Sequence, residues 1–152
     1  MKNETKVILR KATIKDIPAF IEIEKSAPPK IYSAMTTEKE WQDELSRRNA
    51  VIYAIIKDDK IVGNVSYETK NEETAYISGL CIDSKFRGQG IGKKAIKLIS
   101  EELKDFKRIE LATHPNNENA VKLYKSFGFE IKSQIENYFG DGEPRIIMVL
   151  ER

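Results

Sequence analysis

Cysteine, long apolar runs and an excess of either charge are all scarce in this sequence, and each absence excludes a class of protein. The 152 residues include one cysteine, Cys81, which allows no disulfide within the chain and no cluster of thiolate metal ligands. No apolar run approaches the roughly 18 residues that span a bilayer, and residues 1–6 lack the apolar core of a secretory signal. We therefore expect a cytoplasmic protein with no membrane contact and no metal site.

Basic and acidic side chains nearly balance, at 26 and 24, which gives a net charge of +2. Since a protein that binds nucleic acid usually concentrates a clear basic excess on one face, we expect no nucleic-acid partner. Hydrophobic residues at 40% and charged residues at 33% are typical of a globular domain. The chain has no repeat, low-complexity segment or Pro/Gly-rich linker, so residues 1–152 are predicted to form a single domain.

Hydrophobic periodicity predicts seven strands and four helices. Thr13 with Asp16 and Thr37 with Glu40 have the spacing of capping boxes, and each pair precedes a helical pattern. A third helix is predicted after residue 92, with apolar positions continuing to Phe106, and a fourth over residues 117–126. The predicted strands are 7–12, 50–57, 60–69, 75–82, 108–113, 130–139 and 145–150. Because hairpins dominate, the fold class is α+β with a mixed sheet, not a doubly wound parallel sheet.

A glycine-rich connection between a predicted strand and the third helix carries the strongest functional signal. Residues 82–92 read IDSKFRGQGIG, with Gly88, Gly90 and Gly92 at alternate positions and Arg87 beside them. Glycine lets a ligand approach the backbone closely, and the N–H groups of a helix N-terminus bind anions. The spacing fits neither the G-x-G-x-x-G of a dinucleotide fingerprint nor a P-loop. We predict a phosphate-binding loop of another type, with a plain flexible connection as the alternative.

Two segments together resemble the GNAT acetyltransferases. Residues 87–92, RGQGIG, match that family's R/Q-x-x-G-x-G/A motif, and residues 116–129, NNENAVKLYKSFGF, resemble its N-x-x-A-x-x-L-Y-x-x-x-G-F signature. The two motifs are correctly ordered and spaced, and the resemblance covers the chain from Val7. It implies the GNAT fold, a mostly antiparallel seven-stranded sheet that is splayed between strands four and five and flanked by about four helices.

The same resemblance implies acetyl-CoA as the acetyl donor, used without a metal. In the family, the backbone amides of the glycine-rich loop hold the pyrophosphate of coenzyme A, and the preceding strand pairs with the pantetheine arm. Carried over to this sequence, the implied cofactor-binding residues are Leu80, Cys81, Ile82, Arg87, Gly88, Gln89, Gly90, Ile91, Gly92, Asn117 and Tyr124.

Tyr124 is the predicted catalytic residue. It follows Asn117 by seven residues, or two helical turns, so the two side chains share nearly the same helix face. Acetyl transfer expels a thiolate, and a phenol can protonate it; a packed aromatic residue is the alternative. A nucleophilic role is also conceivable for Cys81. Because it lies in mid-strand among apolar neighbours, we instead expect a buried structural cysteine and direct attack of the amine on the thioester.

The sequence leaves the general base unassigned. In similar N-terminal acetyltransferases a glutamate on strand five serves, but Ala112 occupies the matching position here. Glu110 and His114 lie two residues to either side, on the same face of the strand. Both are candidate bases acting through water, and His114 is the only histidine, a residue type suited to accept a proton near neutral pH. A plain surface position is the alternative for His114.

The C-terminal segment resembles the ribosomal-protein-alanine type of N-terminal acetyltransferase. This resemblance predicts a primary amine as substrate, with a protein N-terminus favoured and a small polyamine as runner-up. Residues expected near the acceptor are Ile31, Tyr32, Met35, Asn137, Tyr138, Phe139 and Met148, with Glu136, Asp141 and Glu143 as carboxylates that could attract a cationic amine.

Two questions stay open at this point. A catalytically silent acyl-CoA-binding regulatory domain on the same fold is the alternative to an enzyme, since a fold does not prove a reaction. The missing strand-five glutamate favours that alternative, whereas the presence of Tyr124 favours activity. A homodimer is compatible with the sequence, which does not determine the oligomeric state.

Overall fold

The computed structural model of the protein describes residues 6–152. In this range one sheet is flanked by four α-helices, with two short 3-10 turns at Ile14–Asp16 and Ser84–Phe86. The helices are α1 (Ile17–Lys25), α2 (Glu38–Leu45), α3 (Ile91–Glu102) and α4 (Glu118–Ser126). The strands are β1 (Val7–Lys11), β2 (Ala50–Lys57), β3 (Lys60–Thr69), β4 (Thr74–Ile82), β5 (Arg108–Thr113), β6 (Glu130–Ile135) and β7 (Arg145–Glu151). No helix in the described range is long and apolar enough to cross a membrane.

The predicted capping box at Thr13 is confirmed and fixes the corner between β1 and α1. The Asp16 carboxylate accepts the Thr13 backbone N–H at 2.9 Å and forms a bidentate pair with Arg10 at 3.0 and 3.1 Å. Burial alone would raise the pKa of Asp16, but Arg10 and the Thr13 N–H lower it. The charged form of this carboxylate therefore holds the turn that starts the first helix.

The seven strands lie in the order β1-β2-β3-β4-β5-β7-β6. Every neighbouring pair is antiparallel except β4 and β5, which are parallel. Chain order and strand order agree up to β5, after which β7 inserts between β5 and β6. The predicted α+β class with a mostly antiparallel sheet is confirmed.

The parallel pair of β4 and β5 is short, and this shortness opens the sheet. The two strands pair only from Thr74 with Arg108 to Ile77 with Leu111. At the next residue, Ser78, the register of β4 against β3 shifts by one residue, which is a β-bulge. Bulges bend a strand away from its neighbour, so β4 separates from β5 over residues 78–82. The predicted splay between the fourth and fifth strands is confirmed.

Each face of the sheet has its own core. One face, which we call the α3 face, packs against α3 and α4 through residues that include Ile96, Ile99, Leu111, Tyr124 and Met148. The opposite face, the α1 face, packs against α1 and α2 through Phe20, Ile23, Trp41, Ile52 and Cys81. Because strand side chains alternate between faces, neighbouring residues of β4 such as Leu80 and Cys81 contribute to different cores.

Two predicted boundaries are wrong. Strand β6 ends at Ile135 and not at residue 139, because Asn137 takes a left-handed φ of 51° and its Oδ1 accepts the Gly142 N–H at 2.6 Å. Helix α3 ends at Glu102, so Phe106 lies beyond it. The Phe106 N–H instead bonds to the Leu103 carbonyl in a turn at 3.0 Å, which directs the chain into β5.

Alanine substitutions at two glycines test how closely strands β3 and β4 pack against each other. A Cβ at Gly63 would lie 2.5 Å from the Cys81 backbone oxygen, whereas one at Gly92, in the first turn of α3, would lie 3.8 Å from Leu80. We expect Gly63→Ala to destabilise the protein by about 1–3 kcal/mol through overpacking. The matched control Gly92→Ala should stabilise it by roughly 0.5–1 kcal/mol, since alanine favours helix. Urea unfolding measures both, and equal effects would contradict this account of the β3–β4 contact.

Candidate functional site

A cleft of about 790 Å³ occupies the splay between β4 and β5. Its lining comes from the 3-10 turn after β4, the N-termini of α3 and α4, the segment between α1 and α2, and the start of β7. The predicted site residues that line it are Leu80, Cys81, Ile82, Arg87, Gly88, Gly90, Ile91, Gly92, Asn117 and Tyr124. The fold thus brings together two segments that are separated by about 25 residues in the chain.

The glycine loop, residues 87–92, presents an uncapped helix N-terminus to the cleft. Gly88 and Gly90 take left-handed φ values of 78° and 75°, and a Cβ at either position would meet only open space. Gly90 is the N-cap of α3, and no side chain caps this terminus. The first N–H groups of the helix therefore remain available, together with the positive end of its dipole. This loop fits a phosphate group.

The side chains of Arg87 and Gln89 lie at the edge of this loop. The Arg87 Nε donates to the Ile82 carbonyl at 3.2 Å, and its guanidinium lies 5.8 Å from the centre of the Tyr32 ring. Gln89 accepts a hydrogen bond from Lys57 and is absent from the cleft lining. The Arg87 guanidinium therefore lies at the mouth of the cleft, whereas the Gln89 side chain is directed toward Lys57.

Tyr124 projects from α4 into the base of the cleft. Its side chain is 6% exposed and packs edge-on against Phe129 with ring centres 5.7 Å apart. Burial, and then the nearby Tyr32, raise the pKa of Tyr124 above its ordinary value. Among the residues described, none forms a hydrogen bond with its hydroxyl. A protonated phenol without a protein partner is suited to donate a proton to a ligand in the cleft.

Asn117 connects α4 to the segment between α1 and α2. Its Oδ1 accepts the Ala120 N–H at 3.3 Å, which makes it the N-cap of α4. Its Nδ2 donates to the Tyr32 hydroxyl at 3.4 Å. Tyr32 therefore bridges the cleft, with its ring near Arg87 and its hydroxyl near the two predicted residues of α4.

Cys81 is buried, as predicted. It is 4% exposed, and its Sγ lies 3.9 Å from the Ile23 carbonyl. Burial, and then the carboxylate of Glu24, raise the pKa of the Cys81 thiol. Because the thiolate is the nucleophilic form, this thiol is a poor candidate for an acyl-enzyme intermediate.

The structure gives neither candidate base a free proton-accepting atom in the cleft. Glu110 is absent from the lining and is paired with Lys70 at 2.7 Å and Arg108 at 2.6 Å. Burial alone would raise its pKa, but these two cations lower it. His114 lines the cleft at 3% exposure, yet its Nδ1 accepts the Asn116 N–H at 3.0 Å. A backbone N–H only donates, so the ring proton sits on Nε2, which donates to Glu143 at 2.8 Å.

Residues predicted for the acceptor side divide into two groups. Ile31, Tyr32, Met35 and Phe139 line the cleft, whereas Asn137, Tyr138 and Met148 do not. The three proposed carboxylates are also outside the lining. Among them Asp141 pairs with Arg145 at 3.2 Å and Glu143 bonds to His114. The acceptor end that results is lined mainly by apolar groups together with the buried Arg145.

Sequence reasoning missed several polar residues that line the cleft on the α1 face. Glu24 is one of these, and it shares a helix stripe with Ile17 and Phe20. A carboxylate on an otherwise apolar stripe was the available signal. Asn64 on β3 is another, at 3% exposure. Among residues 6–152, no group of three or more histidine, cysteine, aspartate or glutamate side chains could hold a metal ion.

The chain belongs to the acetyltransferase (GNAT) family. The model of that family matches residues 17–129, which cover well over half of the chain. The match includes the glycine loop, β5 and the helix that carries Tyr124, so the family and the geometry of the cleft agree.

Two proteins that are similar to this chain are named for different acceptor substrates. The L-amino acid N-acetyltransferase AaaT of Escherichia coli (strain K12) is 25% identical over 147 residues, 88% of this chain and 89% of that protein. A spermine/spermidine N(1)-acetyltransferase of Bacillus subtilis (strain 168) is 31% identical over 74 residues, 46% of this chain and 49% of that protein.

Solved structures share the fold at low sequence identity. The ribosomal-protein-S18-alanine N-acetyltransferase from Escherichia coli has a TM-score of 0.80 at 20% identity, covering 96% of this chain and 94% of that one. A GNAT family acetyltransferase from Elizabethkingia anophelis with acetyl-CoA bound has a TM-score of 0.72 at 18% identity, covering 96% and 98%. Both structures therefore share the overall fold of this chain.

Proposed function

We propose that this protein transfers the acetyl group of acetyl-CoA directly to a primary amine. The observation that carries the proposal is the meeting of an uncapped, glycine-rich helix N-terminus and the hydroxyl of a buried tyrosine in one cleft. The first suits a pyrophosphate and the second suits a departing thiolate. Membership of the acetyltransferase family supports the same reaction.

The residues around the splay fit a long phosphorylated thioester. Gly88, Gly90 and the N–H groups at the start of α3 would hold the pyrophosphate. Beyond Ile77, the edge of β4 that faces β5 has no strand partner. The backbone groups of Leu80 and Ile82 on this strand are positioned to pair with the amides of a pantetheine arm. When bound, acetyl-CoA would supply the reactive carbonyl, and the protein would supply its orientation.

Tyr124 would act as the acid in this reaction. Its side chain is buried, its hydroxyl has no hydrogen-bond partner among the described residues, and its raised pKa keeps the proton on the phenol at neutral pH. Direct attack by the amine agrees with the buried, protonated Cys81 thiol. The silent-domain alternative gains no support from this site, because a regulatory domain has no need of a buried proton donor.

A protein or peptide N-terminus is the proposed acceptor, ahead of a polyamine. Ile31, Met35 and Phe139 give the acceptor end an apolar lining suited to a short peptide. Glu44 and Glu68 also line the cleft, but Arg47 pairs with both. A free amino acid is the second candidate, because an L-amino acid N-acetyltransferase is 25% identical over 88% of this chain. The buried Arg145 in the lining is already paired with Asp141.

We also propose a single cytoplasmic domain. Strands from both ends of the described range form one sheet, which supports one domain over residues 1–152. The one cysteine is buried and free of any disulfide, in agreement with a reducing compartment.

Release of free CoA across a panel of acceptors tests the function. We expect turnover with N-terminal peptides that exceeds turnover with spermidine or free amino acids. The kcat/KM for the preferred peptide should fall little as ionic strength rises, because salt does not screen apolar and backbone contacts. The kcat/KM for a polyamine held by exposed charges should fall steeply, because salt screens charges that are separated by more than a Debye length of roughly 8–10 Å. Preference for spermidine with a steep salt dependence would contradict the peptide assignment, and no turnover with any amine would favour the silent domain.

A negative charge introduced into the glycine loop tests the proposed phosphate site. Gly90→Glu should abolish acetyl-CoA binding, because a carboxylate would occupy the path of the pyrophosphate. Gly140→Glu is the matched control, since Gly140 has a similar φ of 80° and equally open space around its Cβ position. Calorimetry should show unchanged affinity for the control, and equal affinities for the two folded variants would exclude this loop as the site.

Replacement of Tyr124 by phenylalanine tests whether this residue protonates the departing thiolate. Tyr124→Phe should lower kcat by roughly 10²–10⁴-fold, the typical effect of a positioned acid, while acetyl-CoA affinity stays nearly constant. Pre-steady-state kinetics should establish that the chemical step limits turnover. If it does and kcat is unaltered, Tyr124 has no part in proton transfer.

A further inference from the structure

We infer that Glu24 accepts the proton that the acceptor amine must lose before it attacks the thioester. This inference rests on the proposed acetyl transfer, and it fills the position left open by Ala112, Glu110 and His114. It assigns the base to the end of α1, on the opposite face of the sheet from Tyr124.

The position of Glu24 brings a carboxylate into the cleft from the α1 face. Glu24 is 9% exposed and lies next to Cys81 of β4, the strand that forms one wall of the splay. Its Oε1 accepts the Met35 backbone N–H at 3.3 Å. This bond orients the side chain, and it leaves the second carboxylate oxygen without a backbone donor.

Glu24 differs from the other carboxylates that line the cleft because it is buried and also has no cation as a partner. Arg47 pairs with Glu44 and Glu68, and Glu118 is exposed on the first turn of α4. Within the described residues, no lysine, arginine or histidine forms an ion pair with Glu24. A buried carboxylate without a cation has a strong affinity for a proton or an ammonium group.

The surroundings of Glu24 are polar enough to hold a water molecule or an amine. Asn64 interacts with the carboxylate, yet its Nδ2 has no hydrogen-bond partner among the described residues at 3% exposure. Buried amide groups are nearly always paired, so this donor is positioned to bond to the Glu24 carboxylate or to a polar group that enters the cleft. Ser66 and Ser78 bond to each other at 2.9 Å along the same lining.

Burial changes the protonation of Glu24 in the direction that a base requires. Loss of solvent raises its pKa, and interactions with Cys81, the Met35 N–H and Asn64 offset this only in part, while Glu40 of α2 raises it further. The Cys81 thiol that faces it stays protonated. A carboxylate whose pKa moves toward neutrality takes a proton from an ammonium ion more readily than an ordinary surface glutamate.

In the proposed reaction, Glu24 on the α1 face accepts a proton and Tyr124 on the α3 face donates one. An N–H bond of the ammonium breaks and its proton passes to Glu24, directly or through one water molecule. The freed lone pair forms the C–N bond as the C–S bond breaks, and the sulfur takes the Tyr124 proton. The second nitrogen proton restores the phenol through water. In total an ammonium ion and a thioester yield an amide, a thiol and the one proton that Glu24 returns to solvent.

The pH dependence of Glu24→Gln distinguishes a base from a structural carboxylate. The variant keeps an oxygen for the Met35 N–H, and Glu22→Gln on the exposed side of the same helix is the matched control. For a peptide whose α-amine has a pKa of about 7.7–8.0, kcat/KM of Glu24→Gln should fall about 10²-fold at pH 6.5–7. The loss should shrink as pH rises past the amine pKa, because the neutral amine no longer needs a base.

Thermal unfolding and acetyl-CoA binding supply readouts that are independent of turnover. A raised folded-state pKa means that ionised Glu24 destabilises the fold above the ordinary glutamate pKa, so Glu24→Gln should unfold at a higher Tm than wild type at pH 7–8. Its affinity for acetyl-CoA should equal that of wild type and of Glu22→Gln.

Each outcome decides between the hypotheses. A loss that is constant with pH, wild-type kcat/KM at pH 6.5–7, or a lowered Tm of Glu24→Gln would overturn the assignment of Glu24, the last because it would identify a structural carboxylate. If wild type itself releases no CoA with any amine, the proposed function fails, and the assignment of the base fails with it.

Discussion

Strands β4 and β5 hydrogen bond to each other over only four residue pairs, and the rest of the site depends on this short contact. A parallel pair that continued would satisfy the backbone groups of residues 78–82 and close the sheet. The bulge at Ser78 prevents this by shifting the register against β3. It leaves an open strand edge beside the N-termini of α3 and α4, whose helix dipoles both point into the gap.

Because the two cores lie on opposite faces of the sheet, each core contributes a different titratable side chain to the cleft. Tyr124 reaches it from the core on the α3 face, and Glu24 reaches it from the core on the α1 face. Burial raises the pKa of both side chains, which makes the phenol hold its proton and the carboxylate seek one. Desolvation raises the pKa of a neutral acid and of an anionic base alike, so the same cleft suits both of the proposed proton transfers.

Local signals in the sequence were sufficient for most of the fold and for half of the site. The glycine loop could be predicted because positive φ values and a free helix N-terminus are properties of a few neighbouring residues. Strand β6 was predicted too long, since its end depends on a side-chain bond from Asn137 across five residues to Gly142. Helix α3 was also predicted too long, because apolar spacing continues to Phe106 after the helix has ended.

Proton chemistry could not be derived from neighbours in the chain. Glu110 and His114 had the right residue types, but Lys70, Arg108, Glu143 and the Asn116 backbone already bond to them. The sequence by itself determined the acetyltransferase family, and short motifs predicted the glycine loop and Tyr124 as site residues. Only the tertiary structure decided which carboxylate lies buried in the cleft without a cation, because burial and pairing depend on residues that are far apart in the chain.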